Sequence, residues 1–215
     1  RHILAERDYI LFNQRGSAYG QPELGCGEYE QFLWRIAEER PDQDEVERLA
    51  VEAARACRDE YVGQGIDLSA YNSAQSAADV DDLRRALGYE QVNLYGISYG
   101  SRLALTVMRD YPEHGRSVIL DSVSPPQVDL YSSQAANAER ALNVLLGNCA
   151  ADPACSAAYP DLRQSFLDAV DVLDADPVTL PVFRPDRQYI AQVDGRLFVE
   201  MVYNLLYDVA TLPTV

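Results

Sequence analysis

The fold of this chain is decided by the stretch Val92-Asn93-Leu94-Tyr95-Gly96-Ile97-Ser98-Tyr99-Gly100-Ser101-Arg102-Leu103-Ala104. Its first residues favour a strand, predicted at Gln91–Tyr95, and its last residues favour a helix, predicted at Ser101–Tyr111. Between them lies a Gly-x-Ser-x-Gly pattern, which is typical of a strand that turns abruptly into a helix. The central side chain of such a turn projects above the sheet, so Ser98 is the candidate nucleophile.

The other residues of this motif have predicted roles of their own. Gly96 and Gly100 lack Cβ atoms where the strand and the helix are expected to crowd together. The helix directs its N-terminal N–H groups and the positive end of its dipole toward the turn. The backbone N–H of Tyr99 is therefore the candidate donor to a developing oxyanion. The alternative is a Gly-Ser-Gly turn with an inert, solvated serine.

The segments around the motif alternate between strand and helix patterns, which indicates a parallel sheet with right-handed crossovers. The predicted elements are a strand at Tyr9–Asn13, a Gly-rich loop at Gln14–Gly27, a helix after Pro41 that ends near Gly63, a helix from Ser73 to Gly88 and a strand at Ser117–Asp121. The three strands of this α/β part are expected to run parallel, with Ser98 at the carboxyl edge of the sheet.

The pattern changes after Ser124-Pro125-Pro126, so a domain boundary is predicted near residue 128. Residues 1–128 form the α/β part, and residues 129–215 form a mainly helical second part. Within the second part, residues 131–175 favour interrupted helices, residues 177–185 an irregular or extended stretch rich in proline, and residues 197–207 a further helix.

Composition narrows the class of protein. The chain has 215 residues, of which 18 are Lys or Arg and 34 are Asp or Glu, for a formal net charge of −16. This acidic balance argues against a nucleic-acid partner, since phosphates are bound by clustered Lys and Arg. No uncharged apolar stretch approaches the roughly 18 residues of a membrane span. A folded domain is expected, because 47% of the residues are hydrophobic and 24% are charged.

Four cysteines indicate disulfides. Cys149 and Cys155 bracket a turn-forming loop, whereas Cys26 lies in a Gly-flanked loop and Cys57 on a predicted helix. A zinc site is not expected, because the chain has only two His and no Cys-x-x-Cys pair. We favour the pairs Cys26–Cys57 and Cys149–Cys155, which imply an oxidising compartment outside the cytoplasm. The alternative is four reduced cysteines that pack as small apolar residues.

Three segments of the chain resemble one family, the α/β-hydrolase fold peptidases of the prolyl aminopeptidase and tripeptidyl aminopeptidase type. They are Arg7–Gly16, similar to the family's Asp-Gln-Arg-Gly segment, Asn93–Ala104, similar to its nucleophile elbow, and Arg109–Asp121, similar to the helix and strand that follow. The resemblance spans most of residues 7–128 and continues more weakly through the second part, which corresponds to the family's cap. The chain departs from the usual Asp, Gly and Ser of the family at Asn13, Ala18 and Gly20.

The resemblance implies a partial α/β-hydrolase fold with a helical cap, and a serine hydrolase without a cofactor. Ser98 would attack a carbonyl and carry an acyl group, while the N–H of Tyr99 helps to hold the oxyanion. The substrate would be a peptide that loses N-terminal residues or tripeptides. The alternatives are an esterase or lipase that takes a small ester on the same fold, and a non-catalytic binding module derived from a hydrolase.

Relatives use acidic groups of the cap to hold the free amine of a substrate. The residues at issue in this chain are Glu139, Glu200 and Asp208, and a solvated helix face is the default for each.

The group that takes the proton of Ser98 is not evident. His114 is predicted at the far end of the helix that begins at the motif, about 15 Å from the serine. His2 precedes the first predicted strand, and Asp121 is a minor candidate for the acid of the triad. We expect the acid and base beyond residue 215 and the Gly-rich oxyanion loop before residue 1. The chain alone would then have little activity and would expose a sheet edge that favours association.

Overall fold

A computed structural model describes residues 3–185 and 187–207, which fall into two compact units. The core unit contains the described residues of Arg1–Gly27 and Ala54–Asp129, and the second unit contains those of Glu28–Ala53 and Leu130–Val215. The division after Asp129 lies next to the boundary expected near residue 128, but Glu28–Ala53 groups with the second unit. Residues His2 and Asp208 lie outside the described residues.

The described residues form eight α-helices, four strands and two single turns of 3-10 helix at Ile3–Ala5 and Leu68–Ala70. In chain order the helices and strands are α1 (Gly27–Glu39), α2 (Gln43–Gly63), α3 (Ser73–Ala86), β1 (Val92–Ile97), α4 (Tyr99–Asp110), β2 (Gly115–Asp121), α5 (Leu130–Ala151), α6 (Pro153–Ala158), α7 (Leu162–Ala175), β3 (Val178–Phe183), β4 (Gln188–Val193) and α8 (Gly195–Leu205). Within these residues, no helix combines the length and the apolar character needed to cross a membrane.

The core unit is built on a parallel pair of strands, as the alternation of strand and helix patterns predicts. Strand β1 pairs with β2 in parallel, with Leu94 opposite Val118 and Ile97 opposite Asp121. Helix α4 packs against β1, and α3 packs against α4. Leu94 contacts a buried cluster contributed by α3 and α4, formed by Ala77, Leu103 and Val107. This packing holds the carboxyl ends of both strands at one edge, directly before Ser98 and Ser122.

The opposite face of the two strands is open to solvent. Tyr95, Ile97 and Ile119 are exposed by 52%, 53% and 62%. These three residues alternate with the covered ones, as the two-residue period of a strand requires.

The prediction of a strand at Tyr9–Asn13 is wrong. This segment has no regular secondary structure and pairs with no strand of the described residues. Phe12 packs against the buried cluster of α3 and α4, whereas Leu11 is 80% exposed. Aromatic and branched residues form a strand only where a neighbouring strand takes up the backbone hydrogen bonds.

Helix α1 was not predicted: the sequence analysis assigned no element between the Gly-rich loop, which ends at Gly27, and the helix after Pro41. The helix carries an apolar face, on which Phe32 and Ile36 pack against Leu49 and Ala53 of α2. The four-residue step between Phe32 and Ile36 is the signal that could have predicted it.

The stretch at residues 177–185 is more regular than predicted, because it contains β3, which pairs antiparallel with β4. Pro181 lies in β3 opposite Ile190. A proline is tolerated there because the strand belongs to a two-stranded hairpin and has a free edge within the described residues. The burial of Tyr189 and Ala191 in β4 shows the two-residue period that could have indicated a strand.

The helical character predicted for the rest of the second unit is found in α5, α6, α7 and α8. Asp152 separates α5 from α6 and caps α6 by accepting hydrogen bonds from the N–H groups of Ala154 and Cys155. Asp194 caps α8 in the same way through the N–H of Leu197.

Both predicted cysteine pairs are joined as disulfides. Cys26 is bonded to Cys57 in the core unit, and Cys149 to Cys155 in the second unit. The second bond ties the end of α5 to α6 across Asp152.

Candidate active site

Ser98 occupies the turn between β1 and α4, with φ 53° and ψ −121°. A positive φ is favourable for glycine, and at a non-glycine residue this strain costs about 1–3 kcal/mol. It persists only where the surroundings hold it in place. Strand β1 runs two residues further than predicted and α4 begins two residues earlier, so the chain reverses direction at Ser98 alone.

Hydrogen bonds hold both backbone polar groups of Ser98. Its N–H donates to the carbonyl oxygen of Asp121 over 3.0 Å. Its carbonyl oxygen accepts from the N–H of Ser101 at 2.9 Å and from the hydroxyl of Ser101 at 2.6 Å. The strained conformation is therefore tied to β2 on one side and to the first turn of α4 on the other.

Gly96 allows the strand and helix to meet at this turn. A Cβ atom on Gly96 would lie 2.6 Å from the carbonyl carbon of Gly100 and 2.8 Å from the nitrogen of Ser101. A Cβ atom on Gly100 would meet no atom of the described residues within 4 Å beyond its chain neighbours and the backbone of its own helix. The predicted crowding is therefore confirmed at Gly96. The prediction for Gly100 is wrong, because a side chain at this position would face open space.

Tyr99 is the first residue of α4, so its N–H has no acceptor within the helix. The side chain of Ser98, the N-cap residue, makes no capping hydrogen bond. The phenol of Tyr99 lies 2.7 Å from the hydroxyl of Ser73, at the start of α3, and the two groups share a hydrogen bond. The side chain is thereby held against α3, while the backbone N–H remains at the turn.

Asp121 lies beside the turn, but its exposed carboxylate is engaged by neighbours on the open face of the sheet. It accepts a hydrogen bond from the phenol of Tyr95 at 3.0 Å and one from the hydroxyl of Ser122 at 3.3 Å. The hydrogen bond from Tyr95 and the negative charge of the carboxylate raise the pKa of that phenol.

His114 lies at the other end of β1 from Ser98. Its carbonyl oxygen accepts a hydrogen bond from the N–H of Val92, the first residue of the strand. A strand of six residues spans about 20 Å. A base must come within about 3 Å of the hydroxyl that it deprotonates. His114 is therefore a histidine of the loop between α4 and β2, in the position that the sequence predicts for it.

The side chain of His114 belongs to a cluster that the sequence analysis missed. Its Nδ1 lies 2.7 Å from Asp81, whose carboxylate also accepts from the Nε of Arg84 at 2.8 Å. The same Nδ1 also lies 3.3 Å from the Nη2 of Arg84, so this ring nitrogen faces both members of the pair. Asp81 and Arg84 are buried, yet the hydrogen bond from Arg84 lowers the pKa of Asp81 against the opposing effect of burial.

The Gln14-Arg15-Gly16 segment has a structural explanation. The guanidinium of Arg15 donates hydrogen bonds to both carboxylate oxygens of Asp79 on α3, at 2.7 and 2.5 Å. It also donates to the carbonyl oxygen of Ala70 at 2.9 Å. Gly16 has φ 77°, and a Cβ atom there would lie 2.9 Å from the ring of Tyr71. The segment is thus anchored beside α3, the helix that also holds Tyr99.

The three departures from the family pattern lie in residues 13–20, where two successive turns are closed by hydrogen bonds from the N–H of Ser17 to Gln14 and from the N–H of Gly20 to Ser17. The side-chain amide of Asn13 donates to the carbonyl oxygen of Ala18 at 2.7 Å, a bond that an ionised Asp cannot donate. A Cβ atom on Gly20 would lie 2.9 Å from the carbonyl oxygen of Ser17. The usual Asp and Ser of the family do not fit these turns.

Two of the three acidic residues considered for binding a substrate amine lie among the described residues. Glu139 and Glu200 are exposed on α5 and α8, and Glu200 lies 4.0 Å from Arg196. Among the described residues of the second unit, the buried carboxylate is Asp194, which pairs with Arg40 at 3.1 Å and caps α8. Burial acts to raise its pKa, but the hydrogen bonds from the N–H of Leu197 and from Arg40 together outweigh burial, so the pKa is lowered.

The fold and the turn define an α/β protein in which a parallel strand passes through a strained serine into a helix. The family model for the alpha/beta hydrolase fold matches residues 1–158. The chain belongs to this family.

Two similar curated proteins are peptidases by name. A tripeptidyl aminopeptidase of Streptomyces lividans is 29% identical over 127 residues, which cover 57% of this chain and 23% of that protein. The serine protease Hip1 of Mycobacterium tuberculosis (strain ATCC 25618 / H37Rv) is 26% identical over 191 residues, which cover 84% of this chain and 36% of that protein. The matched residues thus make up only a minor part of each of these relatives.

Proposed function

We propose that the protein to which this chain belongs is a serine hydrolase, and within that class an exopeptidase that releases N-terminal residues or tripeptides. The observation that carries the proposal is the strained Ser98 at the turn between β1 and α4, with both its backbone groups held by hydrogen bonds. The peptidase names of the similar proteins support the choice of substrate class.

In the proposed reaction the Oγ of Ser98 bonds to the carbonyl carbon of the scissile peptide, and a base takes its proton. The carbonyl oxygen becomes an oxyanion, which the N–H of Tyr99 stabilises. Collapse of this intermediate breaks the C–N bond, and the base returns the proton to the leaving amine. Water then hydrolyses the acyl-enzyme by the same steps.

The base is proposed to come from outside the described residues. His114 is the histidine that they contain, and it lies at the opposite end of β1 from Ser98. Without a base the serine hydroxyl is a weak nucleophile near neutral pH. With neither His114 nor His2 proposed as this base, residues 1–215 alone are expected to show little turnover, and Asp121 is kept as a minor candidate for the acid. Association through an exposed edge of this sheet is also part of the proposal.

The nucleophile is tested by labelling the full-length protein with a fluorophosphonate, which reacts with activated serines. We expect Ser98→Ala to abolish the label and Ser117→Ala to retain it, since Ser117 is exposed and its hydroxyl donates to the side-chain oxygen of Asn93 across the sheet. A label that persists in Ser98→Ala would reject Ser98 as the nucleophile. A wild-type protein that takes no label would favour the non-catalytic binding module.

The substrate class is tested with chromogenic substrates. Turnover of aminoacyl- or tripeptidyl-anilides well above that of short acyl esters would support an exopeptidase. The reverse preference would identify an esterase or lipase on the same fold.

We also propose an extracytoplasmic location, on the basis of the two disulfides. Thiol alkylation of the protein from its native source, before and after reduction, provides the test. Four thiols that react without prior reduction would contradict it.

A further inference from the structure

Ser101 is the one residue of the motif region that is completely buried, with 0% of its surface exposed. Its hydroxyl donates to the carbonyl oxygen of Ser98 at 2.6 Å and accepts from the N–H of Ser124 at 2.8 Å. Ser124 follows β2 and is itself buried. The hydroxyl of Ser101 therefore connects the turn to the segment after the neighbouring strand.

The bond to Ser98 has a consequence for the next residue. The carbonyl of Ser98 and the N–H of Tyr99 belong to one planar, trans peptide unit and point in opposite directions. A group that fixes the direction of the Ser98 carbonyl also fixes the direction of the Tyr99 N–H. Two bonds from Ser101, one from its N–H and one from its hydroxyl, hold this carbonyl.

We propose that Ser101 is a positioning residue for the reaction, because its hydroxyl aims the N–H of Tyr99 at the oxyanion. The inference rests on the proposed function of Ser98 and Tyr99. Ser101 does not touch the substrate and acts through the peptide unit between these two residues. The hydrogen bond from the N–H of Ser124 keeps the hydroxyl of Ser101 in place. The segment after β2 therefore also contributes to the orientation of the Tyr99 N–H.

Thr106 provides a matched control on the same helix. It is also buried, and its hydroxyl donates to the carbonyl oxygen of Arg102 at 2.8 Å. Thr106→Val removes a buried hydroxyl bond from α4 without touching the turn, whereas Ser101→Ala removes the bonds to Ser98 and Ser124. Both substitutions remove a hydroxyl without adding bulk, so both variants should fold.

The experiment measures kcat and KM of the full-length wild type, Ser101→Ala and Thr106→Val with an anilide substrate, together with their urea midpoints. Active sites are counted by fluorophosphonate titration. Loss of one oxyanion donor lowers the rate about 10²–10³-fold, and a misdirected donor should cost less. We expect kcat of Ser101→Ala to fall about tenfold per active site with little change in KM. Thr106→Val should keep the wild-type kcat.

The outcomes separate the two proposals. A kcat per active site in Ser101→Ala that equals that of Thr106→Val would overturn the positioning role while leaving Ser98 as the nucleophile. A rise in KM at constant kcat would also overturn it, since a donor to the oxyanion acts in the transition state. Failure of the proposed function would appear separately, as labelling or turnover that survives Ser98→Ala, and would overturn both.

Discussion

The backbone N–H of Ser98 donates a hydrogen bond to the carbonyl oxygen of Asp121 over 3.0 Å. This bond continues the parallel pairing of β1 with β2 by one residue beyond Ile97, into the turn itself. The candidate nucleophile is therefore positioned by the neighbouring strand as well as by its own. Strain at Ser98 is sustained because a bond from β2 and bonds from α4 act on the same residue.

Gly96 is predicted to be essential for this turn, and Gly100 is not. In Gly96→Ala the new Cβ atom would lie 2.6 Å from the carbonyl carbon of Gly100, so strand and helix must move apart. We expect a loss of about 1–3 kcal/mol in the free energy of unfolding and a strong loss of fluorophosphonate labelling. Urea denaturation and labelling of the same samples measure both effects.

Gly100→Ala is the matched control, because the residue lies in α4 and its Cβ atom would crowd no described residue outside the local helix backbone. Alanine in a helix is favoured over glycine by up to about 1 kcal/mol, so stability should be equal or higher. Equal damage from the two substitutions would show that the steric argument is wrong.

The two disulfides are predicted to contribute unequally to stability. They close loops with sequence separations of 31 and 6 residues. On the chain-entropy account, the Cys26→Ser/Cys57→Ser variant should lose about 3–4 kcal/mol and the Cys149→Ser/Cys155→Ser variant about 2 kcal/mol. Urea unfolding of the two double variants tests the order, and a larger loss for the short loop would contradict it.

Asp81 is predicted to give the core unit a stability that depends on pH. Its pKa in the folded protein is lowered, chiefly by the hydrogen bond from Arg84. The contribution is therefore complete above the ordinary carboxyl pKa of about 3.9, and it is lost as the pH falls through the lowered value. Asp81→Asn should cost about 3 kcal/mol at pH 7, because Arg84 and His114 lose a buried partner.

The difference between wild type and Asp81→Asn should shrink when urea unfolding is repeated below pH 4. Asp82→Asn is the control, since Asp82 is 72% exposed in its pair with Arg85. An exposed pair of this kind contributes little at any pH. A wild-type advantage that stays constant down to pH 2 would refute the role assigned to Asp81.

Arg15 is predicted to anchor the loop at residues 14–24 through its forked contact with Asp79. Lysine keeps the charge but cannot bond to both carboxylate oxygens in this geometry. Arg15→Lys should cost about 1 kcal/mol and accelerate amide hydrogen exchange in the loop. Arg85→Lys is the control, since Arg85 forms an exposed pair with Asp82, and it should change neither stability nor amide exchange. Unchanged exchange in Arg15→Lys would show that Arg15 does not anchor the loop.

Much of the fold and of the candidate turn could be predicted from short-range patterns. The Gly-x-Ser-x-Gly motif predicted the reversal at Ser98, because the steric demands of that turn fall on residues within a few positions of one another. Helices α2 and α3 were predicted from apolar residues at three- and four-residue steps, and the step from Phe32 to Ile36 carried the same signal for α1. Both disulfide pairings were also predicted.

The sequence by itself determined the turn at Ser98 and the parallel direction of the strands on either side of α4, because backbone sterics and helix periodicity act locally. Only the tertiary structure decided that Tyr9–Asn13 stays unpaired, since a strand requires a partner that its own composition cannot supply. Only the tertiary structure, too, brought Ser101 and Ser124 into contact and joined Arg15 to Asp79. These contacts cross 23 and 64 positions of the chain, and they form when α3, α4 and the strands pack into one unit.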